Sequence, residues 1–301
     1  MRQPPWSLVQ YTVPTGSGFR LGLMVGEKVR AAPAELTELS LLDVLDDWSR
    51  LSPALRSFDA ESLDRLAPVP AATLVAPLTY PRKVLCAGAN YYSHAEEMGT
   101  LRPDSSARPY FFLKPPTTTV IGPFDPVTIP VAPGANVDWE AELGVVIADR
   151  CRDLAPGEVL DHVAGYVVAN DISARGVFLR PEAVFPAFGW DWVAHKGQDG
   201  FCPIGPGLVP TWLVDDPQSL PLRLSVNGVV KQDSTTADMV AGVGELVAEA
   251  SRLMTLEPGD LVLTGTPAGV GMPTGDFLRP GDEVTVEIDG VGTITNRMVA
   301  R

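Results

Sequence analysis

Apolar and polar residues alternate from Leu8 to Val29, with Gly16-Ser17-Gly18 and Gly26-Glu27-Lys28 as turn signals. A period of two marks strands with one buried face, so this stretch reads as a small β unit. From Leu41 to Leu55 the spacing becomes helical, with Leu41, Leu42, Val44, Leu45, Trp48 and Leu51 on one face beside Asp43, Asp46 and Asp47. Pro53 marks the end of that helix, because proline lacks the N–H that would continue it. Between Ala67 and Pro81 the chain is rich in Pro and Ala. That composition suits a linker and places a small N-terminal domain at 1–75 and a larger one at 76–301.

The larger domain reads as β-type segments divided by Pro and Gly: Val84 to Ala87, Tyr110 to Leu113, Val120 to Ile121, Trp139 to Ile147 and Tyr166 to Ala169. Leu222 to Val226, Asn227-Gly228 and Val229 to Lys231 form a hairpin signal, since Asn-Gly accepts the positive φ angles of a tight turn. Val243 to Met254 has helical spacing. Pro258-Gly259-Asp260 and Pro280-Gly281-Asp282 each turn into a strand, at Leu261 to Thr264 and Val284 to Ile288. Strands dominate, which predicts a mixed, β-rich α+β fold of rolled or sandwich-like form.

One strand carries charge among its apolar residues. In Asp138-Trp139-Glu140-Ala141-Glu142-Leu143, Glu140 and Glu142 project to one face, while Trp139, Ala141, Leu143 and Val145 project to the other. Alone, a Glu-x-Glu pair describes the solvated face of an edge strand. Asp171, in Asn170-Asp171-Ile172-Ser173-Ala174-Arg175, adds a third acid. Neighbouring carboxylates repel and cost desolvation energy unless a cation or a proton sits between them. Three carboxylates without thiolate or imidazole favour a hard ion, Mg2+, Mn2+ or Ca2+, over zinc.

The 301 residues are 45% hydrophobic and 20% charged, enough for a large core and without disordered bias. A net charge of −14 argues against nucleic acid and anionic membranes as partners, since both are negative. The N-terminus Met1-Arg2-Gln3-Pro4-Pro5-Trp6 lacks a signal-peptide pattern, and no run approaches the roughly 18 apolar residues of a membrane helix. Cys86, Cys151 and Cys202 are odd in number and widely spaced, which suits a reducing compartment and a cytoplasmic protein.

Positions of the few cations and histidines matter more than their sum. His94 and Glu97 follow Cys86-Ala87-Gly88-Ala89-Asn90-Tyr91 and share a face if the chain turns helical there. A carboxylate beside an imidazole raises its basicity, so the pair suits activation of water. His162 and His195 read as surface or packing residues. Lys114 ends the aromatic strand, and Arg175 and Lys196 add positive charge near the acids. Leu263-Thr264-Gly265-Thr266-Pro267-Ala268-Gly269-Val270-Gly271 is glycine-rich but lacks the Gly-Lys-Ser/Thr ending of a phosphate loop. Its amides and the Thr266 hydroxyl suit a carboxylate ligand.

These motifs, taken in order, resemble the fumarylacetoacetate hydrolase superfamily. The resemblance rests on Gly88-x-Asn90-Tyr91, His94-x-x-Glu97, Phe112-Leu113-Lys114-Pro115, Glu140-x-Glu142, Asn170-Asp171-x-Ser173-Ala174-Arg175, Lys196-Gly197, Asn227-Gly228 and Gly265-Thr266-Pro267-x-Gly269-Val270-Gly271, over roughly residues 80 to 300. It implies a β-roll catalytic domain after a small N-terminal β unit, a homodimer, and a Mg2+ or Mn2+ ion held by Glu140, Glu142 and Asp171. It further implies a small anionic 2-oxo acid substrate, neutralised and oriented by Lys114, Arg175, Lys196 and the loop of Gly265 and Thr266, with Tyr91 at the substrate. The resemblance makes His94 and Glu97 the pair that activates water for hydrolysis of a C–C bond in a 2,4-dioxo acid. The pyruvate-like enolate so released would be stabilised by the ion and Lys196.

The same enolate serves decarboxylation and keto–enol isomerisation, so these activities stand as alternatives to hydrolysis. A departure from the resemblance follows Arg175, where many relatives carry Asp and, two residues later, Gln. This chain has Gly176 and Phe178, and Phe185, Phe188, Trp190 and Trp192 follow. Phe178 makes that wall of the site apolar and suits a larger or aromatic tail, although the aromatic stretch equally suits core or dimer packing. A binding protein without catalysis on this fold is the third reading.

Overall fold

The computed structural model describes residues 1–14, 18–104 and 107–301; Gly16 and Ser17 of the first expected turn lie outside them. The alternating N-terminal stretch forms β1 (Ser7–Thr12), β2 (Arg20–Val25) and β3 (Lys28–Ala31). Gly26, at φ 59°, turns the chain between the paired residues Val25 and Lys28. The expected single helix is instead two, α1 (Leu41–Asp46) and α2 (Trp48–Arg56), which meet at Asp47. Pro53 lies inside α2 and does not end it. One ladder bond is forfeited there, and burial of Leu51 and Leu55 outweighs the loss. After α3 (Ala60–Arg65), β4 (Thr73–Val75) pairs with β1.

The chain continues through β5 (Val84–Gly88), α4 (Tyr92–Glu97), β6 (Tyr110–Lys114), α5 (Pro116–Thr119), β7 (Val120–Ile121) and β8 (Val127–Ile129). Next come β9 (Val137–Asp138), β10 (Ala141–Ile147), β11 (Val163–Asn170), β12 (Ser173–Ala174), α6 (Trp192–Lys196) and β13 (Cys202–Pro210). The last segment holds β14 (Pro221–Val226), β15 (Val229–Thr235), α7 (Val243–Leu253), β16 (Leu261–Leu263), β17 (Glu283–Ile288) and β18 (Gly292–Ala300). Asn227 and Gly228 take φ 52° and 76° between β14 and β15, as the hairpin signal requires.

An 11-stranded sheet runs β3-β2-β1-β13-β11-β10-β16-β5-β6, with β4 beside β1 and β7 beside β13; a second, five-stranded sheet runs β15-β14-β17-β18-β8. This is the β-rich α+β architecture that the pattern predicts. The N-terminal strands are fastened to the rest of the sheet where Leu8 faces Leu208. Alternation along the central strands fills two cores. Leu143, Val145, Tyr166 and Val168 pack with Leu224, Val286 and Ile294 of the second sheet, whereas Val146, Val167 and Ala169 pack with Leu8, Leu41 and Leu55 on the side of α1 and α2. Both faces of the large sheet are therefore covered, and any charge on its central strands is buried. Among the described residues no helix is long and apolar enough to cross a membrane.

Candidate active site

β10 lies between β11 and β16, so Glu140 and Glu142 are not on an edge strand. Glu140 is 7% exposed and Glu142 1%, which removes the solvated-face reading. The ladder starts at Ala141, two residues later than the pattern suggests, and side chains take the amides at its entry. Asn170 Oδ1 accepts from the Glu140 N–H at 3.0 Å, and Gln232 Oε1 accepts from the Ala141 N–H at 2.9 Å. Asp171 follows β11 directly, and its N–H donates to the Glu140 carbonyl at 2.9 Å. One carboxylate oxygen from each of Glu140, Glu142 and Asp171 lies within 4.8 Å of the others.

Three cations answer these acids. Lys196 Nζ, at the end of α6, donates to Glu140 Oε2 at 2.7 Å and to Asp171 Oδ2 at 2.6 Å. Lys114 Nζ, at the end of β6, donates to Asp171 Oδ1 and to the Ile172 carbonyl. Arg175 Nε donates to Asp138 Oδ2 at 3.0 Å while its Nη2 reaches Glu140 Oε1 at 2.6 Å. Asp138, whose positioning role the sequence reading did not assign, is itself held by the amides of Gly271 and Met272. Its place two residues before Glu140 was the available signal.

Four buried carboxylates face three cations, and the deficit falls on Glu142. Burial, then the charges of Asp171 and Glu140, push its carboxyl well above the usual range. Burial acts on Glu140 in the same sense, but Lys196 and Arg175 outweigh it and hold that carboxyl far below the usual range. For Lys196, burial opposes the charged form, yet Asp171 and Glu140 raise the ammonium to about 12. The three acids form an all-oxygen donor set with one carboxylate left uncompensated. That chemistry fits a hard divalent ion held by Glu140, Glu142 and Asp171.

Local sequence also explains the His94–Glu97 pair. The strand β5 gives way to the single helical segment α4, which places His94 Nδ1 3.6 Å from Glu97 Oε2. The glycine-rich loop after β16 differs in use from the expectation. Its amides bind the protein's own carboxylates: Gly265 N–H donates to Glu142 at 2.6 Å, Gly269 N–H to Glu97 at 2.9 Å and Gly271 N–H to Asp138 at 2.6 Å. Thr266 Oγ1 donates to the Ala141 carbonyl and accepts from Gln232. The loop is a clip for acids already present, and its spent amides leave no open nest for a substrate carboxylate at these three positions.

A cavity of about 120 Å³ meets the acids at Glu140 and is lined further by His94, Arg175, Lys196 and Thr266 and by the rings of Phe112, Phe178, Trp192 and His195. Phe178 therefore reaches the site. Lys114 and Tyr91 are both fully buried and do not line the cavity; Tyr91 belongs to the core packed between the sheets. His162 pairs with Asp149 at 2.6 Å outside the site. His195, read from sequence as a packing residue, is in fact a cavity residue. It is 2% exposed, and burial together with the neighbouring charges of Lys196 and Arg175 drives its imidazole down to about 2. Only the lysine beside it in sequence hinted at this.

The family model described as fumarylacetoacetate (FAA) hydrolase C-terminal matches residues 83–299. The chain belongs to the fumarylacetoacetate hydrolase family. It is 36% identical over 299 residues to the protein named oxaloacetate tautomerase FAHD2B, mitochondrial, of Homo sapiens, covering 97% of this chain and 91% of that one. Maleylpyruvate hydrolase from Sphingobium sp. SYK-6, solved with a manganese(II) ion and pyruvate, superposes with a TM-score of 0.76 at 30% identity, covering 98% of this chain and 99% of that one. The 2-hydroxyhepta-2,4-diene-1,7-dioate isomerase of Mycobacterium marinum superposes with a TM-score of 0.72 at 33% identity, covering 98% of each chain. As a fumarylacetoacetate hydrolase family member the chain is an enzyme, with hydrolases and isomerases among its relatives.

Proposed function

We propose that this enzyme moves a proton at C3 of a small 2-oxo acid, interconverting its keto and enol forms. The observation that carries the reading is one small cavity lined by both the cation-paired Glu140 and His94, whose Nδ1 lies 3.6 Å from Glu97 Oε2. Lys196 stays protonated between Asp171 and Glu140, so it serves as a hydrogen-bond donor rather than a base. With Arg175 it faces the negative charge that grows on the 2-oxo oxygen as the C3 proton leaves. His94 lines the cavity as the group to take that proton, and Glu97, fixed by the Gly269 N–H, lies 3.6 Å from its Nδ1, close enough that a small approach would make the hydrogen bond that orients the imidazole. Mg2+ or Mn2+, or Ca2+ in their place, held by Glu140, Glu142 and Asp171, would supply positive charge for the substrate carboxylate and 2-oxo group. Likeness along nearly the whole chain to proteins named oxaloacetate tautomerase supports this reading.

A second reading, hydrolysis of a C–C bond in a 2,4-dioxo acid, is favoured by the same His94–Glu97 pair, since an imidazole with a carboxylate 3.6 Å away could instead take a proton from water. The two separate on products. Enol absorbance would be followed for 2-oxo acids with charged and uncharged tails, and pyruvate release for acylpyruvates, each with Mg2+ and with chelator. Enolisation without pyruvate release is expected, lost on chelation and in Glu142→Ala. Turnover indifferent to both treatments would sink the metal-assisted reading, and pyruvate release as the faster reaction would replace the first reading by the second.

A further inference from the structure

We infer that Phe178, Trp192 and His195 make the enzyme select 2-oxo acids with an uncharged, flat tail over those ending in a second carboxylate. The inference rests on reading the cavity as a 2-oxo acid site. Phe178 is gripped in an aromatic cluster: its ring meets Trp190 edge-on at 4.2 Å, Trp192 at 5.6 Å and His195 at 4.7 Å, and Trp192 stacks on Phe112 at 4.6 Å. Rings held in this way offer faces and edges to a planar group.

Charge leads to the same tail. The cations that line the cavity among the described residues, Arg175 and Lys196, are tied to Asp138, Glu140 and Asp171. Lys196 Nζ also lies 5.3 Å from the centre of the Phe112 ring, but both cations are already engaged by the protein's own acids, so a tail carboxylate among the rings loses its water without gaining a free counter-charge. His195 supplies polarity of another kind. Its ring is buried, lines the cavity, and has no protein partner at either nitrogen. A neutral imidazole offers one N–H and one lone pair, which matches a carbonyl or hydroxyl on the tail rather than a charge.

Phenylpyruvate and oxaloacetate both enolise at C3 and differ in the tail, which makes them a matched test. Enol–keto conversion and, separately, calorimetric binding would be measured on the full chain with Mg2+. Both kcat/KM and affinity are expected to favour phenylpyruvate by at least about tenfold. Phe178→Gln should erase that ratio, whereas Phe178→Leu, which keeps the wall apolar, should hold it within about threefold. His195→Phe should weaken 4-phenyl-2,4-dioxobutanoate, which carries a tail carbonyl, at least about threefold more than it weakens phenylpyruvate. Tighter binding of oxaloacetate by the unmodified enzyme, or an unaltered ratio in Phe178→Gln, overturns the inference. Binding of both acids without turnover would instead defeat the enolisation reading, with the affinity ratio still deciding the pocket; failure of both acids to bind defeats the two together.

Discussion

At the scale of single residues, the site is governed by how buried charges are matched. Lys196 touches two acids at once, so Lys196→Met leaves Glu140 and Asp171 with one cation fewer in a dry setting. The metal-free variant should lose roughly 3 kcal/mol in urea unfolding, and Mg2+ should restore more stability to it than to the unmodified protein. His195 gives a pH signature. Its folded value of about 2 lies below the unfolded value of about 6.5, so the unfolded chain takes up the proton first. Its effect is absent above the unfolded value and destabilises the fold increasingly as pH falls below it. Between pH 7 and pH 5, His195→Gln should therefore lose about 2 kcal/mol less stability than the unmodified protein. Parallel losses would mean that the folded imidazole accepts the proton. Gly176, one of the two departures from the family pattern, also has a steric account. A Cβ there would run into the Gly134 carbonyl, while the amides of Arg175 and Gly176 donate to Asn136 and Ala135. An Asp at this position needs a different path for residues 134–136.

At the scale of elements, the loop after β16 joins three parts of the site through its amides. Gly269 has φ 103°, and a Cβ on it would meet the Lys231 carbonyl. Gly228, in the β14–β15 turn, has φ 76° but open space around that direction. Both Gly→Ala changes impose backbone strain of about 1 kcal/mol or more and should each lower Tm by at least about 2 °C. Only Gly269→Ala should also reduce kcat, because it displaces the N–H that fixes Glu97 behind His94. Equal activity in the two variants would show that the loop does not position the pair. The helix expected from Leu41 to Leu55 shows the limit of pattern at this scale. Its apolar face was legible, yet the break at Asp47 answers to packing on the large sheet rather than to spacing along the chain.

At the scale of the whole molecule, exposed apolar side chains gather between Val177 and Val193, among them Leu179, Val184, Phe185 and Phe188. We expect a second copy to cover part of such a surface, and sedimentation should give about twice 32.1 kDa. Phe185→Ser together with Phe188→Ser should shift the mass toward one chain; a monomer in the unmodified protein would exclude this assembly. Sequence alone determined the strand-dominated fold, the tight Asn227-Gly228 turn, and the shared face of Glu140 and Glu142, because each follows from local periodicity or turn chemistry. It also determined which acids, cations and His–Glu pair were candidates. Tertiary structure decided what periodicity does not encode. Covering the sheet on both faces buried those acids, brought Lys114 and Lys196 to Asp171 from distant segments, spent the glycine-loop amides on the protein's own carboxylates, and turned His195 into the cavity. Each of these depends on long-range burial, where an unmatched charge is costly and its partners are set by space rather than by spacing.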